Sequence, residues 1–166
     1  IINNPEKPFV VILGGAKIND KIKLVENLVE KADYILIGGA MAFTFLKSEG
    51  YKVGSSMIDH ESIDFCNEIL KKYSNKIVLP LDAICAKEIS ETAKTKLCAI
   101  NEFDLDDIGL DIGPNTIEVF KKYIAKAGSI FMNGTMGLSE YEIFKNGTFK
   151  IFEALNGKNV IIGGGD

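Results

Sequence analysis

Cysteine is scarce in this chain. Cys66, Cys85 and Cys98 are its three among 166 residues, widely spaced and with no CxxC pair. That excludes a disulfide framework and the spacing of a cysteine metal site. Buried, inert thiols in a reducing, cytoplasmic setting are the expectation. Histidine is scarcer still: His60 stands alone in Asp59-His60-Glu61, at an expected helix start. A base or metal ligand would need partners that the sequence does not place beside it, so His60 reads as an exposed surface residue. No apolar run approaches the length of a membrane span. Nor does a charged leader precede an apolar stretch at Ile1-Ile2-Asn3-Asn4-Pro5. A basic excess is also missing: 19 Lys and Arg face 23 Asp and Glu, a formal charge of −4. Neither nucleic acid nor membrane is therefore an expected partner. The first residue is not Met and the last two are Gly165-Asp166, which reads as a piece of a longer chain.

What the chain does have is apolar content, 46% of residues, enough for a core in one domain. Three apolar runs stop on glycines: Val10-Val11-Ile12-Leu13-Gly14-Gly15, Ile35-Leu36-Ile37-Gly38-Gly39, and Val160-Ile161-Ile162-Gly163-Gly164-Gly165-Asp166. Each has the length and β-branched content of a strand buried on both faces. Ligands of parallel sheets bind at the carboxyl ends of strands, where glycine lets the backbone come close. Three such ends predict one shared phosphate-binding rim.

Strands and helices alternate. Strands are expected at 9–13, 34–37, 76–79, 129–132 and 159–162. Helices are expected at 18–31, where Ile18, Ile22, Leu24, Val25, Leu28 and Val29 make an apolar stripe, and at 40–48 and 59–73. Another begins at Pro114, and 140–155 reads as helical with a possible break at Asn146-Gly147. The stretch 83–109 is less regular, with a short strand near 97–100 and a solvated acidic loop at 104–107. The alternation predicts a doubly wound parallel α/β sheet with helices on both faces, a three-layer α/β/α fold.

The first glycine end continues as Gly14-Gly15-Ala16-Lys17-Ile18-Asn19-Asp20-Lys21. A helix start suits an anion. Lys17 and Lys21, four apart, would stack on one face and repel unless an anion lay between them. The run is neither G-x-x-x-x-G-K-[ST] nor G-x-G-x-x-G. Pattern alone therefore points to a nucleotide or another phosphorylated metabolite and does not choose. In Asn133-Gly134-Thr135-Met136-Gly137-Leu138-Ser139-Glu140, spacing favours Glu140 as a helix cap over a ribose contact. Asp111 reads as a turn former. Met57 and Leu138 are core residues by default, with an adenine-facing role as the sharper alternative. Asp166, beside a glycine loop, suits a hard cation such as Mg²⁺.

Five segments then act together: Leu13-Gly14-Gly15-Ala16-Lys17 with Asp20-Lys21, Ile37-Gly38-Gly39-Ala40-Met41-Ala42-Phe43-Thr44, Gly109-Leu110-Asp111-Ile112-Gly113-Pro114, Asn133-Gly134, and Ile162-Gly163-Gly164-Gly165-Asp166. In this order and spacing they resemble the phosphoglycerate kinase family over essentially the whole chain. The resemblance implies that residues 1–166 are the Rossmann-like carboxyl-terminal lobe, which holds MgADP or MgATP, cut short at its own carboxyl end. The amino-terminal lobe, which holds 3-phosphoglycerate or 1,3-bisphosphoglycerate, is absent. The implied parent is a cytoplasmic, glycolytic, monomeric kinase that moves a phosphoryl group between 1,3-bisphosphoglycerate and ADP. By the same likeness Lys17 contacts the transferring phosphoryl group and Lys21 the nucleotide phosphates. Gly15, Gly39 and Ala40 line the adenosine side, Met57 and Leu110 pack on adenine, and Leu138, Gly164 and Gly165 line the nucleotide. Asn133 reaches the phosphates, Glu140 the ribose and Asp166 the Mg²⁺.

Four positions depart from the family pattern: Thr135 replaces a proline, Leu138-Ser139 replaces Val-Phe, and Ala40 replaces a glycine. They are expected to tune affinity, Ala40 by crowding adenine and Thr135 by loosening its loop. The chain alone is expected to be inactive, because half of the reacting pair has no site. The other readings are a non-catalytic module for a phosphorylated ligand and a truncated domain that pairs through exposed apolar surface.

Overall fold

The run Phe9–Leu13 becomes β1, buried from end to end. The computed structural model describes residues 4–163, so the expectations placed on Gly164, Gly165 and Asp166 lie outside the described residues. A 3-10 turn, Asn19–Lys21, leads into α1 (Ile22–Leu28), then β2 (Tyr34–Ile37) and α2 (Met41–Ser48). A second such turn, His60–Ser62, leads into α3 (Ile63–Lys72). β3 (Ile77–Val78), β4 (Asp82–Ala86), β5 (Lys96–Ala99) and β6 (Ile108–Ile112) come next. They are followed by α4 (Pro114–Lys126), β7 (Ser129–Asn133), α5 (Asn146–Ala154) and β8 (Val160–Ile162).

The main sheet is parallel, in the order β3-β2-β1-β7-β8. Central β1 has no polar face because each side chain meets helices. Phe9, Val11 and Leu13 pack with Val25 of α1, Phe45 of α2 and Cys66 of α3. Val10 and Ile12 pack on the other side with Phe120 of α4 and Ile151 of α5. Alternation along one strand thus feeds both layers of the expected three-layer fold. Burying one such large side chain contributes roughly 1.5–3 kcal/mol.

The stretch 83–109 differs from expectation. It carries most of a second, antiparallel sheet, β5-β4-β6, with an irregular register between Ile84 and Cys85. Gly109 and Asp111, which break the strand pattern in sequence, sit inside β6 because tertiary neighbours require them. A Cβ at Gly109 would lie 2.1 Å from the Phe43 ring. The acidic loop is not simply solvated either. Asp107 is fully buried, with Lys87 at 2.9 Å, Lys96 at 3.1 Å and the Asp104 N–H at 2.7 Å. Burial pushes its carboxyl up, but these donors outweigh burial and hold it at about 2.

The helices expected at 18–31 and 59–73 are shorter than expected, since 3-10 turns replace their first residues. The third is broken at Lys145, with Asn146-Gly147 at the start of α5 rather than inside a helix. All three cysteines are buried free thiols. Burial, assisted by Asp59, pushes Cys66 up to about 12, and burial raises Cys85 and Cys98 as well. Among the described residues no helix is long and apolar enough to cross a membrane.

Candidate functional site

The sheet order places the glycine ends side by side. Gly38 N–H donates to the Leu13 carbonyl (2.8 Å), Gly14 N–H to the Asn133 carbonyl (2.9 Å), and Gly163 N–H to the Met132 carbonyl (2.7 Å). The ends of β2, β1, β7 and β8 therefore form one rim, as the glycine pattern predicts. Beside it opens a cavity of about 340 Å³. Two glycines let its backbone walls meet. Gly39 (φ +66°) and Gly15 (φ +109°) adopt the left-handed region. A Cβ at Gly39 would stand 2.5 Å from the Gly15 nitrogen.

The cavity has two chemically distinct parts. Ala40, Ile108, Leu110 and Leu138 give it an apolar wall, with half-exposed Met57 and Ile89 above. Gly15, Ala16, Lys17 and Asp20 form the polar edge that follows β1, and Glu140 also lines the cavity. Of the residues singled out from the sequence, Gly15, Lys17, Gly39, Ala40, Met57, Leu110, Leu138 and Glu140 meet here. Leu138 lines the cavity and also packs with Leu110 and Phe144.

Lys21 and Asn133 lie outside this lining and meet each other: the Lys21 ammonium donates to Asn133 Oδ1. Lys17 and Lys21 do not stack on a helical turn. Ile18 is fully buried and starts the 3-10 turn, which leaves Lys17 outside it and exposed, while Lys21 is buried. Glu140 is not the helix cap that spacing favours. It is exposed, and the Glu142 N–H is instead taken by the Glu91 carboxylate at 3.0 and 3.1 Å. Thr135 is tied down rather than loose, its hydroxyl donating to the Gly137 carbonyl at 3.0 Å, a bond proline could not make.

Asp111 is a strand residue and not a turn former. It is buried, and its carboxylate accepts from the Ile112 and Gly147 N–H groups at 2.9 and 2.8 Å. Burial pushes it up to about 7, against the pull of those two donors. Sequence reasoning missed Ile89, Ile108 and Gly137 as lining residues. Ile89 carried the one available signal, an apolar residue alone in the polar run Lys87-Glu88-Ile89-Ser90-Glu91.

Comparison with known proteins agrees with this geometry. A family model described as phosphoglycerate kinase matches residues 1–166. A phosphoglycerate kinase of Dictyoglomus turgidum is 48% identical over 99% of this chain and 43% of its own length. One from Thermosipho africanus is 49% identical over 98% of this chain and 43% of its own. The solved phosphoglycerate kinase of Coxiella burnetii superposes with a TM-score of 0.95 at 39% identity, covering 99% of this chain and 44% of that one. That of Pyrococcus horikoshii gives 0.84 at 28% identity, covering 98% and 43%. The chain thus spans less than half the length of these relatives. A sheet rim built from glycine-ended strands, and a match along its whole length, make this chain a member of the phosphoglycerate kinase family.

Proposed function

We propose that residues 1–166 are the nucleotide-binding lobe of a phosphoglycerate kinase and that the rim cavity takes MgADP or MgATP. One observation carries the reading: a single cavity joins an apolar wall at Ala40, Ile108, Leu110 and Leu138 to a glycine-lined edge that holds Lys17. An adenine ring fits the first part and a polyphosphate the second. Lys17 faces the phosphate end, where its ammonium neutralises charge on the transferring phosphoryl group. Lys21 and Asn133, already joined, serve the nucleotide phosphates at the end of β7, and Glu140 accepts from the ribose. Gly164 and Gly165 are assigned to nucleotide binding as well.

Mg²⁺ fits as a companion of the phosphates rather than as a resident ion. The described residues contain no cluster of three or more His, Cys, Asp or Glu side chains that could hold a metal. The carboxylates on the cavity lining are Asp20 and Glu140. An ion held largely by phosphate oxygens needs one or two carboxylates, and Asp166 is assigned that role. When bound, it would neutralise charge on the phosphates.

In the parent protein, phosphoryl transfer between 1,3-bisphosphoglycerate and ADP needs a second site for the acyl phosphate, contributed by another part of the molecule. The chain alone binds nucleotide and forms no ATP. Calorimetric titration of MgATP, which carries the transferring phosphoryl group that Lys17 would meet, tests the binding. One-to-one binding is expected, weakened about tenfold or more in Lys17→Ala, which loses a charge-assisted contact. Equal affinity in wild type and variant, or no binding by the wild type, would overturn the reading.

A further inference from the structure

Leu110 and Asp111 are neighbours on β6 and serve different layers. Leu110 lines the cavity, while the Asp111 Oδ2 accepts from the Gly147 N–H in the first turn of α5 at 2.8 Å. Absent side chains make this approach possible. A Cβ at Gly147 would stand 2.3 Å from Asp111 Oδ1. A Cβ at Gly137 would stand 2.6 Å from the same oxygen and 2.6 Å from the Leu110 carbonyl. Gly137 and Leu138 are themselves cavity wall, and the Leu138 N–H donates to the Leu110 carbonyl at 3.0 Å. The Met136 N–H reaches Thr148 of α5 at 2.9 Å, closing the circuit. One buried carboxyl is therefore enclosed by strand, glycine loop and helix, and the first two are walls of the cavity.

We propose that Asp111 is a positioning residue for the nucleotide cavity, its carboxyl group fixing the Leu110 and Gly137–Leu138 wall against the start of α5. This rests on the nucleotide reading of the cavity. Among the described residues, no charged side chain pairs with the group. Asp82 on β4 is taken by the start of α4, at 3.0 and 2.9 Å. Lys145 pairs with Glu142 at 2.6 Å, and Lys150 of α5 with Glu153 at 3.6 Å. Glu140, at the end of the loop, is exposed.

The proton state of Asp111 then matters. Ionised, both oxygens accept, so the bonds from Gly147 and Ile112 are both made. Protonated, one oxygen becomes a donor facing an N–H, and one of those bonds is lost. With the group held near 7 by burial, the wall tightens as pH rises through neutrality, and nucleotide affinity rises with it.

Two readouts test this on the whole chain. The first needs no ligand: the amide resonances of Gly147 and Leu138 are followed between about pH 5 and 9. Both should titrate with a midpoint near 7 in the wild type, and neither should do so in Asp111→Asn. A midpoint confined below about pH 5, or a Gly147 response without one at Leu138, overturns the proposal. The second is MgADP affinity at pH 6 and 8. The variant reports the ligand's own titration, so the quantity read is the ratio of ratios. The wild type should gain about fivefold or more over the variant between the two pH values. Equal ratios overturn the coupling. If neither protein binds MgADP at either pH, the nucleotide reading fails, and the amide titration still decides whether Asp111 holds this wall.

Discussion

Asp82→Ala should be a costly single change outside the main sheet. Gly113 precedes α4 and has no side chain with which to cap it, so the cap comes from β4. Asp82 Oδ2 accepts from the Asn115 N–H at 3.0 Å, and Oδ1 from the Thr116 N–H at 2.9 Å and the Thr116 hydroxyl at 2.6 Å. Asp82 and Thr116 are both buried, so water cannot replace the lost acceptor. A cap alone contributes about 1–2 kcal/mol, and each buried donor left unsatisfied costs about 1–3 kcal/mol. Because the bonds share one carboxylate, their costs overlap, and a loss of about 3–4 kcal/mol is expected. With an m-value of about 2 kcal/mol/M, the urea midpoint should fall by about 1.5–2 M. Asp82→Asn keeps one acceptor and should lose roughly half as much. Thr116→Val should be strongly non-additive with Asp82→Ala, with a coupling of about 1 kcal/mol or more. A loss below about 1 kcal/mol for Asp82→Ala, or simple additivity with Thr116→Val, would refute the cap as a buried tie between β4 and α4.

Stability should also depend on pH through Asp111. Ionisation completes its two local bonds, but the cost of burying the charge outweighs them: the folded value of about 7 lies above the ordinary 3.8, so its contribution to global stability is fully present below about 3.8 and lost as pH rises through 7. Relative to Asp111→Asn, the wild type should lose about 4 kcal/mol between about pH 4 and 8 by urea denaturation, and a pH-independent difference would count against this. The three cysteines should resist a thiol reagent such as a maleimide in the folded protein and react on unfolding, because burial disfavours every thiolate. Fast native labelling would contradict that. Ala40→Gly should tighten MgADP binding by a few-fold if the methyl group on the cavity wall crowds adenine. Equal affinities would remove the crowding claim.

The main sheet was legible because its strands need no partner to be recognised. Phe9–Leu13 and Tyr34–Ile37 are apolar enough for burial on both faces, and the glycines that follow mark where they stop. The second sheet was not legible, because its strands contain residues that oppose a strand pattern for reasons found elsewhere in the chain. Asp82 is there to cap α4, Asp111 to hold α5, and Gly109 to admit the Phe43 ring. Gly113 and Gly147 belong to the same logic, since a Cβ at either would collide with the capping carboxylate. In the site, Gly15 and Gly39 could be read from the glycine ends of their strands, and Lys17 from the run that follows β1. The Lys21–Asn133 contact could not, because the two residues are 112 positions apart and meet only when β7 pairs beside β1. Nor could the loss of Glu140 as a cap, because its replacement, Glu91, comes from the loop after β4.

The crystal structure of this chain with MgADP is the most direct test of its assignment as a nucleotide-binding lobe. The adenine ring should lie against Ala40, Leu110 and Leu138, with the phosphates running along Gly15 to Lys17. A nucleotide bound elsewhere on the chain, or a cavity that stays empty at saturating MgADP, would contradict it.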